Sequence, residues 1–91
     1  MSEIALSTPR GYEQIASLAA AAGLTVPAGA KRALITPEAQ AVRWRDDGTN
    51  PTGAVGMTLA VGATLDYRGD LAAIKFIESA ASAKLNVSYY A

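Results

Sequence analysis

Asp46, Asp47, Asn50, Asp66 and Asp70 are the residues whose types could do chemistry, since carboxylate and amide oxygens bind hard cations and carboxylates move protons. The run Asp46-Asp47-Gly48-Thr49-Asn50 faintly suggests a calcium loop. Such a loop needs ligands at fixed alternate positions and a closing bidentate glutamate, and this run has neither. Asp46 and Asp47 are adjacent, and neighbours on an extended chain point to opposite faces, so they do not form an acid–base pair. The expected role is turn capping plus a salt bridge to Arg43 or Arg45.

The chain has no histidine and no cysteine. That removes imidazole bases, thiolate nucleophiles, thiolate metal sites and disulfides together, and no glycine-rich phosphate loop follows a strand. The reading is therefore no enzyme, no metal and no cofactor. Arg43-Trp44-Arg45 interleaves base and aromatic, as a single-strand nucleic-acid patch would. In a strand, however, Trp44 points away from both arginines, so stacking and phosphate contact cannot share a surface. Trp44 is expected as a core anchor, with Arg43 and Arg45 facing solvent or a partner. Arg68-Gly69-Asp70 spells an adhesion tripeptide but is ordinary turn chemistry. Tyr89 falls in register with Leu85 and Val87 and belongs to the core, whereas Tyr90 emerges on the other face as an interface anchor. The interface residues expected on these grounds are Arg43, Arg45, Asp47, Asn50 and Tyr90.

Ninety-one residues make one domain. A chain this short buries only about 60–65 % of its unfolded surface. Half its residues are apolar, but many are alanine, so the large core candidates are few: Ile4, Ile15, Leu18, Leu34, Ile35, Trp44, Leu59, Leu65, Tyr67, Ile74, Phe76, Leu85, Val87 and Tyr89. So thin a core favours an oligomer or a docked subunit. Eight basic and eight acidic residues cancel, and neither sign forms a run, which argues against phosphate-driven nucleic-acid binding. The start MSEIALSTPR lacks the basic end and apolar core of a signal peptide, and no stretch reaches bilayer-spanning length. A soluble protein made in the cytoplasm, with no membrane partner, is expected.

The elements that must position these residues read as follows. Residues 1–11 form an arm with Pro9 and Gly11 as breakers, docked on its own domain or on a neighbour. Residues 12–91 form the single domain. Residues 12–23, YEQIASLAAAAG, suit helix by alanine content but are read as strand because the rest of the chain is β. Pro27-Ala28-Gly29 is a turn, Lys31–Thr36 a strand, and Thr36-Pro37-Glu38 a connection. Ala39–Asp46 is the clearest strand, and Ala41–Tyr67 reads as a half-buried antiparallel hairpin broken by a Gly/Pro/Asn-rich loop. Short extended pieces follow at Met57–Leu59, Ala63–Tyr67 and Ala73–Glu78, then a final strand from Leu85. Turn signals recur roughly every ten residues, the spacing of an antiparallel sandwich. The fold class expected is all-β, a compact antiparallel β-sandwich, jelly-roll-like.

GLTVPAGAKRALI from Gly23, AVRWRDDGTNPT from Ala41, VGMTLAVGATLDY from Val55, DLAAIKFI from Asp70 and KLNVSYY from Lys84 are blocks whose order resembles a group of small tailed-bacteriophage virion proteins, over the last three-quarters of the chain. The resemblance implies a β-sandwich structural subunit that decorates or cements the capsid, with the major capsid protein or other virion proteins as partners and the virion as its location. It implies a homo-oligomer, a trimer being the form expected. A low-copy head–tail adaptor or tail component is the alternative within that class, and a sugar- or peptide-binding module the alternative outside it. The contacts expected are the arm Met1–Gly11, the loop Asp46–Gly56, and a face made by Arg43, Arg45 and Tyr90.

Overall fold

The period-two stretches become eight strands in the computed structural model of the chain, which describes residues 8–91. They are β1 (Pro9–Ile15), β2 (Ala22–Gly23), β3 (Arg32–Glu38), β4 (Val42–Arg45), β5 (Met57–Leu59), β6 (Leu65–Tyr67), β7 (Lys75–Glu78) and β8 (Lys84–Tyr90). All pair antiparallel, in two four-stranded sheets ordered β1-β8-β3-β6 and β2-β7-β4-β5. The described residues contain no helix. The expected all-β antiparallel sandwich is what the chain forms.

Alternation decides what enters the core. On β8, Leu85, Val87 and Tyr89 are buried while Asn86, Ser88 and Tyr90 stay partly exposed. On β3, Ala33 and Ile35 face inward between them, and β7 and β4 supply Phe76 and Val42 from the other sheet. Each such large side chain fully withdrawn from water stabilises the fold by about 1.5–3 kcal/mol. No charged side chain of the described residues is fully buried, and the polar atoms that the core side chains carry are the hydroxyls of Tyr67 and Tyr89, bonded to Asp46 and Glu13.

Several expectations need correction. Leu34 is not core: it lies opposite Ser88 and Asp66 on the outer face of its sheet, half-buried, because its parity is opposite to that of Ala33 and Ile35. Thr36-Pro37-Glu38 is not a connection but the end of β3, with Pro37 buried opposite Leu85. Proline is tolerated there because β6 pairs only with Ala33–Ile35, so on that side no ladder donor is needed from Pro37, whose carbonyl accepts from Gly62 N at 3.1 Å. The strand expected from Ala39 begins at Val42, since Ala39 sits at φ 72° in a turn closed by Gln40 N donating to Glu38 O. Of the strand expected over 12–23, β1 and β2 take the two ends. Between them the chain crosses from one sheet to the other, and Leu18 drops into the core while its carbonyl accepts from Glu78 N at 2.9 Å. Residues 1–7 of the arm, with Ile4, lie outside the described residues. Pro9–Gly11 already belong to β1, and Ala91 N donates to Thr8 O at 2.8 Å.

Candidate functional site

The corner where β4 runs into its loop gathers most of the residues singled out above. Val42 and Trp44 point to the core side of their sheet and Arg43 and Arg45 to its outer side, as the alternation requires. Trp44 is half-buried, and its ring meets that of Tyr67 edge-on, with centroids 6.1 Å apart and planes at 66°. Such an edge-to-face pair adds about 0.5–1.5 kcal/mol beyond the area it buries.

The loop after β4 is built from local bonds. Arg43 donates from Nε to Gly53 O (3.2 Å) and from Nη1 to Gly56 O (3.0 Å), so two of its nitrogens brace the loop backbone. Thr52 N donates to Val55 O, and Thr52 Oγ1 accepts from Ala54 N and Val55 N. Gly56, at φ 144°, is required because a Cβ there would stand 3.2 Å from Arg43 Cβ, Pro51 Cβ and the Trp44 carbonyl oxygen. Arg45 donates from Nε to Asp47 Oδ1 at 3.1 Å, the salt bridge foreseen for this loop. That hydrogen bond holds the Asp47 carboxyl below the usual carboxylate range and raises Arg45 further. Asp46 Oδ2 instead accepts from the Tyr67 hydroxyl at 2.7 Å.

Between these groups lies a groove of about 550 Å³, lined by Trp44, Arg45, Asp46, Asp47, Val55, Gly56 and Met57. Val55 and Met57 are 53 % and 60 % exposed on its rim. Sequence reading included Val55 only as part of the expected contact loop Asp46–Gly56 and did not single out Met57. The signal that could have found them is the absence of any Asp, Glu, Lys or Arg from Gly48 to Leu65, which leaves large apolar side chains in a loop where charge is usual.

Arg43, Arg45, Asp47 and Asn50 thus come from one strand and its loop, with Asn50 exposed. Tyr90 does not join them. It lies on the outer face of the other sheet, under the Arg32 guanidinium at 6.0 Å and accepting from Ser88 Oγ, so the expected face of Arg43, Arg45 and Tyr90 is split between two sides of the sandwich. Around Tyr90 that second face is a polar lattice. Tyr12 OH and Gln14 Nε2 donate to Asn86 Oδ1, Asn86 Nδ2 donates to Glu38 Oε1, and Arg32 with Arg68 clamps Asp66, whose carboxyl is held below its ordinary value. Arg68 and Asp70 of the adhesion-like tripeptide are used locally, on Asp66 and on Ala72 N.

Chemically, the corner offers an aromatic floor, an apolar rim and carboxylates already engaged, an arrangement suited to contact with another protein surface. Among the described residues no three His, Cys, Asp or Glu side chains converge to hold a metal ion. Compared with protein-family models, with curated proteins and with solved structures, the chain matches none.

Proposed function

We propose that the chain is a structural virion protein of a tailed bacteriophage, a non-catalytic capsid decoration protein that cements the head shell through contacts between subunits. The observation that carries this reading is the strand order, β1-β8-β3-β6 over β2-β7-β4-β5, in which every pair of successive strands except the β4–β5 hairpin passes from one sheet to the other. We read that interleaving as a jelly roll, an architecture used by viral capsid and lectin domains. A fold hosts many functions, so the surface supplies the rest of the argument. An exposed apolar rim beside Trp44 and a flat polar face around Tyr90 give two sides through which a small subunit can bridge neighbours. The sequence blocks that resemble small phage virion proteins point the same way.

The major capsid protein is the partner in this reading, and shell expansion or internal pressure would then have to break the added contacts. Peptide mass spectrometry on gradient-purified virions, scaled to major capsid protein, tests it. Hundreds of copies per particle support a lattice-wide decoration protein. A handful would move the chain to the head–tail junction or tail, and absence from the particle overturns the virion reading.

A further inference from the structure

The two aspartates that line the groove beside β4 and β5 are not used alike. Asp47 is matched by Arg45, which donates from Nε to Oδ1 at 3.1 Å. Asp46 instead receives a neutral donor, the Tyr67 hydroxyl, on Oδ2 at 2.7 Å. Among the described residues no salt bridge reaches Asp46. None reaches Asp70 either, whose carbonyl oxygen lies 3.4 Å from the same hydroxyl and whose carboxylate caps Ala72 N.

The other cations of this sheet are directed elsewhere. Arg43 braces the Gly53 and Gly56 carbonyls, and Lys75 on β7 reaches toward β2, its Nζ 3.0 Å from the Cβ position of Gly23. The loop and β5 supply none, since no ionisable residue occurs from Gly48 to Leu65. The groove therefore sets one carboxylate without a counter-charge beside an apolar wall, made by the half-buried Trp44 ring and the exposed side chains of Val55 and Met57.

We infer that this groove receives a basic side chain, lysine or arginine, of a partner protein, with its methylene stem along Trp44, Val55 and Met57 and its charged head at Asp46. Charge complementarity selects this occupant. A basic side chain joins an apolar stem to a cationic head, and an indole attracts a cation more strongly than the other aromatic rings do. A neutral apolar segment would leave Asp46 without a counter-charge, and an acidic one would be repelled. Val55 and Met57 are 53 % and 60 % exposed, so the groove is open and a free small amine would leave its rim in water. The protein surface that carries the side chain covers that rim. The inference rests on the reading of this corner as a protein contact and names the chemistry of the partner there. It does not require the partner to be a capsid protein.

The test titrates the isotope-labelled chain, observed by NMR, with Nα-acetyl-lysine methylamide and with its Nε-acetylated form at matched ionic strength. Acetylation keeps the stem and removes the charge. The expected result is a shift of the Trp44 indole N–H and the Met57 amide, with the charged probe bound about three- to tenfold more tightly, the range of an exposed ion pair joined by a cation–π contact. Asp46→Asn keeps an oxygen for the Tyr67 hydroxyl and should bind the two probes alike. Glu38→Gln removes the same charge from the opposite sheet, where it leaves Asn86 an acceptor, and should bind like the parent. In the parent chain itself, about 1 M salt, with a Debye length of about 3 Å, should erase the preference. No shift at the groove, equal binding of both probes by the parent, or a preference that survives Asp46→Asn overturns the inference. Groove signals that move with protein concentration alone would give the site to a second copy and overturn it too. The probes contain no virion component, so failure here leaves the copy-number test of the virion reading untouched.

Discussion

The Tyr67 hydroxyl donates to Oδ2 of Asp46 at 2.7 Å, linking β6 of one sheet to the residue that follows β4 in the other. The phenol is fixed from other sides as well. Trp44 meets it edge-on, and Gly69 lies so close that a Cβ there would stand 2.6 Å from Tyr67 Cζ. One bond between sheets therefore depends on a turn residue, an aromatic neighbour and the start of the β4–β5 loop.

Gly69→Ala is expected to push the Tyr67 ring off its site and break the bond to Asp46. Overpacking of this kind destabilises by about 1–3 kcal/mol. Urea unfolding should show a lower midpoint, and the fluorescence of Trp44, the chain's sole tryptophan, should change in the folded state. An unchanged midpoint would mean that the turn relaxes without touching Tyr67.

Alkaline pH should weaken the fold. Burial first, and then the hydrogen bond to Asp46, push the Tyr67 phenol from its ordinary 10.0 up to about 12. Burial and Glu13 raise Tyr89 as well. The folded state thus holds these protons more tightly than the unfolded chain. The Tyr67 contribution is fully present below pH 10.0 and is lost as pH rises through about 12, and that of Tyr89 is lost at higher pH still. Tyr67→Phe removes a hydrogen bond to a carboxylate, of a kind worth about 1.5–3 kcal/mol at pH 7. It should also make the alkaline loss shallower than in the parent chain, measured by urea midpoints at stepped pH. A loss of the same steepness in both proteins would assign the titration to Tyr89 alone.

Alternation made β3, β4 and β8 legible, because period two fixes which side chains are buried wherever one face of a strand is dry. Val42 with Trp44, and Leu85 with Val87 and Tyr89, follow directly. Leu34 misled because hydrophobicity alone cannot tell Leu34 from Ile35: parity is set by pairing, and Ser88 and Asp66 place Leu34 outside. Pro37 misled because its place in β3 depends on β6 ending at Ile35, a long-range fact. Arg43 and Arg45 were placed on the correct outer face, but the Arg43 fork closing on Gly53 and Gly56 depends on the path of the loop, which no periodicity encodes. The separation of Tyr90 from Arg43 and Arg45 has the same origin. Each faces outward on its own strand, and only the assignment of strands to sheets shows that the two outward faces are opposite.

Glu13 should matter more than an edge-strand carboxylate usually does. It accepts from the hydroxyl of Tyr89, which is almost fully buried, and from Thr25 N at 2.8 Å, closing the end of the sandwich where β1 overlies the chain after β2. Glu13→Ala leaves a buried hydroxyl without this acceptor, a change that costs about 1–3 kcal/mol. Glu13→Gln keeps an acceptor oxygen and should lose less than half as much in thermal unfolding. Equal losses would show that packing of the side-chain stem, and not the acceptor, is what the fold uses.

Arg43 is expected to act as the clamp of the β4–β5 loop. Arg43→Met keeps the apolar stem on the sheet but removes both donations, to Gly53 O and Gly56 O, whereas Arg43→Lys keeps the charge without the fork. Hydrogen exchange at the Thr52 and Val55 amides, which are bonded to each other's carbonyls, should speed up roughly tenfold in Arg43→Met and by less in Arg43→Lys, since local opening is governed by few contacts there. Arg45→Ala provides the contrast. It breaks an exposed ion pair with Asp47, of a kind that water and salt screen, and should leave the exchange of those two amides unchanged. If Arg45→Ala loosened the loop as much as Arg43→Met, general loss of positive charge, and not the fork on the backbone, would be what holds the groove rim in place.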